Sequence, residues 1–249
     1  VKSSTDPQGY RSLLFLGGLA ALLAGFIFRR NFGVEISLFS AQGFPTDVRS
    51  WYNLLESHPW LGMFYLGLFD LINAFLLAWM FLALGLILRK TARMGALASV
   101  VFGLTGSLTY LITNPLFTLL NLSRTYQATE TETGRLIALA AGEAVLAVNN
   151  PGGVAQGTAG VLFFLFLGAA TLITGLVMRG SSLFGKVNAW FGILPGTFDL
   201  LYTLILVIFP AGTAVVAGSV LVPLAGLCLM VWHILTGFRL LKLWKQKPR

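Results

Sequence analysis

Charge is scarce in this chain, and cysteine and histidine are scarcer still. Of its 249 residues only 10% are Asp, Glu, Lys or Arg, with 9 acidic against 17 basic. Soluble domains carry roughly 25% charged residues. A chain with less than half that share cannot cover a globule of this size with polar groups, which argues against soluble enzymes, nucleic-acid-binding modules and disordered chains. The single cysteine, Cys228, rules out an intrachain disulfide. The two histidines, His58 and His233, lie far apart, and neither a CxxC nor an HExxH spacing occurs. A zinc site of His and Cys is therefore not expected. Only His233 falls inside an apolar run, so a bis-histidine haem within the spans is excluded and no cofactor is expected. GxSxG and P-loop patterns are absent.

Apolar length fills the space that charge leaves. Hydrophobic residues make up 56% of the chain, and the mean hydropathy is +0.81. A hydrocarbon core about 30 Å thick needs roughly 20 apolar helical residues at about 1.5 Å each. Six runs meet that length: Ser12–Phe28, Trp60–Leu88, Gly95–Leu120, Thr158–Met178, Val187–Phe209 and Thr213–Phe238. The fold class is all-α: a polytopic membrane protein of six transmembrane helices forming one integral membrane domain over residues 1–249. The first run reads as an uncleaved span, lengthened at its end by Arg29 and Arg30. The +8 charge does not signal nucleic acid, because the cations cluster at the ends of the apolar runs. The partner is the lipid bilayer. On the side of both termini and the second and fourth loops there are 12 cations, against 5 on the other side. The positive-inside rule then places both termini in the cytoplasm.

Two long outer loops carry their own helical patterns. Thr46 reads as the cap of a short helix from Asp47, with Val48, Trp51, Tyr52 and Leu55 on one face. That pattern predicts an interfacial helix with Trp51, Tyr52 and Trp60 as headgroup anchors. The second loop predicts a helix over Thr131–Val148, with Thr129 and Glu132 spaced as a capping box. These helices read as caps that shield the bundle end, with a lid or docking surface as the alternative. Asn121-Leu122-Ser123 is a glycosylation sequon with meaning only in a eukaryotic secretory pathway.

Two acidic residues lie inside spans, and they share a context. Gly67-Leu68-Phe69-Asp70-Leu71 in the second span matches Gly196-Thr197-Phe198-Asp199-Leu200 in the fifth. The first and fourth spans match through Leu-Phe-Leu-Gly at residues 14–17 and 165–168. This suggests an inverted repeat of three spans each, with halves 12–120 and 158–238, and it places both carboxyls near the bilayer midplane from opposite directions. Inverted repeats with polar midplane groups recur in secondary transporters. A charge at the centre of a span costs at least about 2.5–3.5 kcal/mol. By depth or helical spacing Asn73, Tyr110, Asn114 and Tyr202 are the nearest hydrogen-bond partners for Asp70 and Asp199. Pro115, Pro195 and Pro223 interrupt spans and read more readily as kinks than as ion sites. Thr105, Thr109 and Thr113 recur every four residues and read as packing hydroxyls before a polar path. The C-terminal stretch Phe238–Arg249 reads as a helix leaving along an anionic inner leaflet.

The run from Leu122 to Pro195 carries Ala140-Ala141-Gly142-Glu143, Met178-Arg179, Ser181–Lys186 and Ala189-Trp190-Phe191-Gly192. It resembles a family of bacterial six-span membrane proteins known only as a domain of unknown function. The resemblance implies six spans in a bacterial inner membrane and carries over no activity and no catalytic residue. Three functions stay open on the residues themselves. The leading one is a transporter-like or channel-like protein, a homodimer or a subunit of a larger complex, binding a cation or proton at Asp70 and Asp199. The second is an accessory subunit. The third is an intramembrane aspartyl peptidase, although Phe69 and Phe198 stand where the G-x-G-D pattern of such enzymes has its second glycine.

Overall fold

In lipid the backbone must satisfy its own hydrogen bonds, and long uninterrupted helices are the simplest solution. The computed structural model describes residues 7–41, 45, 47–149 and 157–246, with the backbone alone for Pro7 and for residues 28–41. The described residues form ten helices: α1 (Pro7–Ala41), α2 (Val48–Ser57), α3 (Pro59–Tyr65), α4 (Leu68–Leu88), α5 (Arg93–Thr113), α6 (Leu116–Ala128), α7 (Glu132–Val148), α8 (Thr158–Arg179), α9 (Lys186–Ile208) and α10 (Ala211–Lys245). Six segments are long and apolar enough to cross a bilayer: Gln8–Ile27, Leu68–Leu88, Arg93–Ala128, Thr158–Arg179, Lys186–Ile208 and Ala211–Lys245. The chain is a multi-pass, all-helical membrane protein.

The spans close into a ring in chain order. α1 packs on α4, α4 on α5, α5 on α8, α8 on α9, α9 on α10, and α10 back on α1. Small residues let the backbones approach: Gly18 of α1 lies against Leu241, and Gly175 of α8 against the backbone of Gly192 and Ile193. Such contacts replace the hydrophobic drive that lipid removes. The core runs through Leu14, Phe81, Leu84, Leu167, Met178 and Trp232, with the Phe81 and Trp232 rings 6.2 Å apart.

At one end the two long loops build a shared cap, where the sequence predicts two separate helices. α2, α3, α6 and α7 enclose a second core of Val48, Trp51, Tyr52, Leu55, Tyr65, Leu116, Leu119 and Leu146. The four residues of the predicted α2 face are its buried face, but Trp51 and Tyr52 are 0% exposed and anchor no headgroup. Trp60 is exposed. The cap of α2 is Asp47, which accepts from the Ser50 N–H at 2.9 Å; Thr46 lies outside the described residues. α7 is capped by Thr131, accepting from Gly134 N–H, while Thr129 ends α6 and donates to the Thr125 carbonyl. The Thr129–Glu132 capping box does not form, because helix α7 starts one residue after Thr131. Within the sequon, Ser123 is buried and donates to the Tyr52 carbonyl.

The C-terminal tail also differs from its sequence reading. α10 continues unbroken to Lys245, Leu240 is fully buried, and Trp244 lies 4.9 Å from Phe15 of α1. Packing on α1 takes up the tail's apolar residues, so it does not leave the bundle along a leaflet. Arg239 donates to the Leu183 carbonyl and ties down the α8–α9 loop.

Tyr52 tests the cap. Its hydroxyl donates to the Ala138 carbonyl at 2.8 Å, and burial, reinforced by the Glu143 carboxylate, pushes the phenol from 10.0 up to about 12. A raised acid constant gives stability that is present below the unfolded value and lost as pH rises through the folded one. The cap is therefore expected to loosen between about pH 10 and 12. Tyr52→Phe removes that pH step and costs roughly 0.5–1.5 kcal/mol at neutral pH. Hydrogen exchange of α7 amides against pH is the measurement.

Candidate functional site

The second apolar run does not continue as one helix. After α3 the chain passes through Leu66 and Gly67, and Gly67 takes φ 84, the only described positive φ. That left-handed residue suits glycine. Space requires it as well, since a Cβ there would lie 2.5 Å from the Tyr110 Oη. The third run breaks beside it. Pro115 supplies no N–H, and α5 ends at Thr113 with Asn114 extended.

One side chain joins the two breaks. Asn114 Nδ2 donates to the Leu66 carbonyl at 3.0 Å, and Asn114 Oδ1 accepts from the Leu116 N–H at 3.0 Å. Backbone groups freed at both breaks are thus repaired by a single carboxamide, with Asn149 Nδ2 donating to the Thr113 carbonyl at 3.3 Å. Asp70 sits on the same junction, in the first turn of α4, and Tyr110 Oη lies 3.5 Å from its Oδ2. A carboxylate in a first turn complements the helix dipole.

This placement corrects the expected depth of Asp70. The count from Trp60 put it at midspan, but the spanning helix begins at Leu68 and leaves Asp70 at its end. Asp199 does lie near the middle of α9, where it is 3% exposed. The shared G-x-F-D-L motif therefore folds in two ways. Gly67 breaks a helix, whereas Pro195 and Gly196 lie inside continuous α9. Pro223 likewise lies inside continuous α10.

Asp199 is seated at a close approach of α8. A Cβ on Gly168 would stand 2.9 Å from the Asp199 Cβ. No hydrogen bond joins its carboxyl to another described residue, and Thr203 donates to its backbone carbonyl at 2.8 Å. Tyr202 does not pair with Asp199. Its ring stands edge-on to Phe164 at 5.3 Å, and its hydroxyl points at Gly218 of α10. Asn73 does not pair with Asp70 either; its buried Oδ1 has no hydrogen-bond partner among the described residues. The structure thus brings Asp70, Tyr110 and Asn114 together with Gly67, leaves Asp199 and Tyr202 apart from them, and gives Asn73 Oδ1, one turn along α4 from Asp70, no hydrogen bond to that group. Thr113 donates back to the Thr109 carbonyl at 2.6 Å, consistent with a packing hydroxyl. His233 is buried beside Trp232.

The two carboxyls belong to separate seams, Asp70 to α4–α5 and Asp199 to α8–α9. A peptidase needs both on one water, and this arrangement does not assemble that dyad. Among the described residues no cluster of three His, Cys, Asp or Glu side chains is placed to hold a metal. No family model, curated protein or solved structure matches this chain. Neither the bacterial six-span family nor a bacterial origin is thereby established, and the class that stands is a six-span helical membrane protein.

The junction makes two mutational predictions, with Gly185→Ala, outside it, as a control. Gly67→Ala forces a left-handed alanine into the Tyr110 hydroxyl and is expected to destabilise by about 1–3 kcal/mol. Gly185→Ala, with nothing within 4 Å, should stay within about 0.5 kcal/mol. Asn114→Leu orphans a carbonyl and an N–H at once and should cost about 2 kcal/mol or more. Thermal unfolding of the purified chain in detergent reads all three.

Proposed function

We propose that this protein is transporter-like or channel-like and moves a proton or small cation through the six-helix ring, using Asp199 and Asp70 at different depths. The observation that carries the reading is Asp199: a carboxyl 3% exposed, in the middle of a spanning helix, with no hydrogen bond to another described residue. Intramembrane acids are costly to keep, and in membrane proteins they mark ion and proton pathways. Pro195 lies one turn before Asp199 and frees a backbone carbonyl of α9. Asp70 adds a second acid where two helices break, and broken helices supply ion sites in transporters.

The orientation belongs to the same proposal. Antiparallel packing gathers Arg11, Arg89, Lys90, Arg93, Arg179, Lys186, Arg239, Lys242 and Lys245 at the bundle end away from the cap. That end is assigned to the cytoplasm and the cap to the outside of an inner membrane. The two halves 12–120 and 158–238 occupy equivalent places in the ring, which supports an inverted repeat. A homodimer or a larger complex is the assembly proposed.

Flux through proteoliposomes tests the function. Asp199→Asn is expected to lower proton or cation flux at least tenfold while leaving the unfolding temperature unchanged or higher. Equal flux in wild type and Asp199→Asn would sink the reading. A wild type that carries no flux for protons, sodium or potassium would hand the lead to an accessory subunit, for which the separately cored cap is the favouring observation.

A further inference from the structure

Two buried oxygens without a hydrogen-bond partner among the described residues stand out in the bundle. They occur on facing helices. Asn73 of α4 is 5% exposed and Ser107 of α5 is 1% exposed. Neither Asn73 Oδ1 nor Ser107 Oγ has a hydrogen-bond partner among the described residues. A buried oxygen without a partner is unfavourable enough that proteins rarely keep one unless something else completes it.

Two contacts bracket the stretch of seam that holds these oxygens. At the capped end of the α4–α5 seam, Tyr110 Oη meets Asp70 Oδ2 at 3.5 Å. Deeper in the same seam the Phe81 ring lies against Gly103, where a Cβ would meet it at 2.5 Å. Asn73 is one helical turn beyond Asp70 toward Phe81. Ser107 is one turn before Tyr110, toward Gly103. The helices are antiparallel, so both steps lead in the same direction and stay on the same faces. Asn73 and Ser107 therefore lie on the facing sides of the seam, both between the Asp70–Tyr110 contact and the Phe81–Gly103 contact.

We infer that this seam is a binding site for a small monovalent cation of the sodium class, with Asn73 Oδ1, Ser107 Oγ, the Asp70 carboxylate and Tyr110 Oη as its donors. The donor set is all oxygen, the choice of a hard cation. It carries one carboxylate and otherwise neutral groups, matching a single positive charge. Divalent sites of calcium type gather several carboxylates, and none besides Asp70 stands in this seam. Below the site, Phe81 and Leu77 close the seam with apolar surface. The inference rests on the proposed cation-handling function, so binding is measured apart from flux and either can fail alone.

The test is the unfolding temperature of the full chain in detergent, with sodium chloride exchanged for choline chloride at constant ionic strength. A ligand of the folded state raises that temperature progressively with its logarithmic concentration. Wild type is expected to show this rise, and Ser107→Ala to need at least tenfold more sodium for the same shift. Asn73→Leu combined with Ser107→Ala should abolish it. Should the double variant not fold, sodium-23 relaxation on wild type and Ser107→Ala reads the same difference. A wild type indifferent to sodium overturns the site. So does a sodium response that survives in Ser107→Ala with undiminished affinity. A double variant that simply becomes more stable, with no sodium response in wild type, would mean that the oxygens hold water. Sodium binding without flux would leave this site standing and remove the transport reading instead.

Discussion

The constraint on which the rest of this structure depends is that no backbone group in hydrocarbon can turn to water. Six helices meet it by length alone, and the chain departs from it beside the capped end of the bundle, at Gly67 and at Asn114–Pro115. Those departures are neighbours, and Asn114 closes both with one carboxamide. Their adjacency follows from the chemistry. A single break would leave a free carbonyl or N–H with no donor or acceptor nearby, whereas two breaks side by side let one polar side chain serve both. Once that junction exists, Asp70 and Tyr110 have a polar setting that a continuous helix pair would deny them.

Close packing does the corresponding work in the second half. α8 approaches α9 so nearly at Gly168 and Gly196 that the Asp199 side chain is seated against backbone. Such contacts supply the attraction that lipid-solvated helices otherwise lack. They also leave little room around the carboxyl, which accounts for its burial. The acid in the first half is thus held by hydrogen-bonding groups at a helix break, and the acid in the second by steric enclosure within a helix.

How much of this was legible in the sequence follows from what each signal measures. Span number and approximate bounds were readable because hydropathy reports the bilayer directly, and the α2 face was readable because amphipathic spacing reports burial. Neither reports what covers the face. Trp51 and Tyr52 looked like headgroup anchors because aromatic residues near a span end usually are; their covering came from α6 and α7, more than sixty residues away in the chain. The depth of Asp70 was misjudged because Trp60–Leu88 is apolar throughout, and hydropathy averages over the break that a left-handed Gly67 introduces. The glycine itself was visible, and with the Asn114-Pro115 pair it was the only signal of the junction. Ser107 gave no sequence signal at all, since one serine in a glycine-rich span is ordinary until its burial is known.

Two acids at different depths and in different seams carry a mechanistic consequence. Carboxyls that share one water influence each other's ionisation through a shared proton, whereas carboxyls separated by a packed helix have only through-space electrostatics and the packing of that helix between them. α8 is the element that touches both neighbourhoods: Leu167 and Phe166 lie against Gly106 of α5, Phe163 stands 5.0 Å from Tyr110, and Gly168 abuts Asp199. α8 thus lies between the surroundings of the two acids and touches both. Its contacts on α5 and α9 combine close backbone approaches at Gly106, Gly168 and Gly175 with aromatic contacts, Phe166 on Phe102 and Phe164 on Tyr202. The ring closure between α1 and α10 holds the far side of the bundle, which leaves α8 packed between the seam of Asp70 and the seam of Asp199.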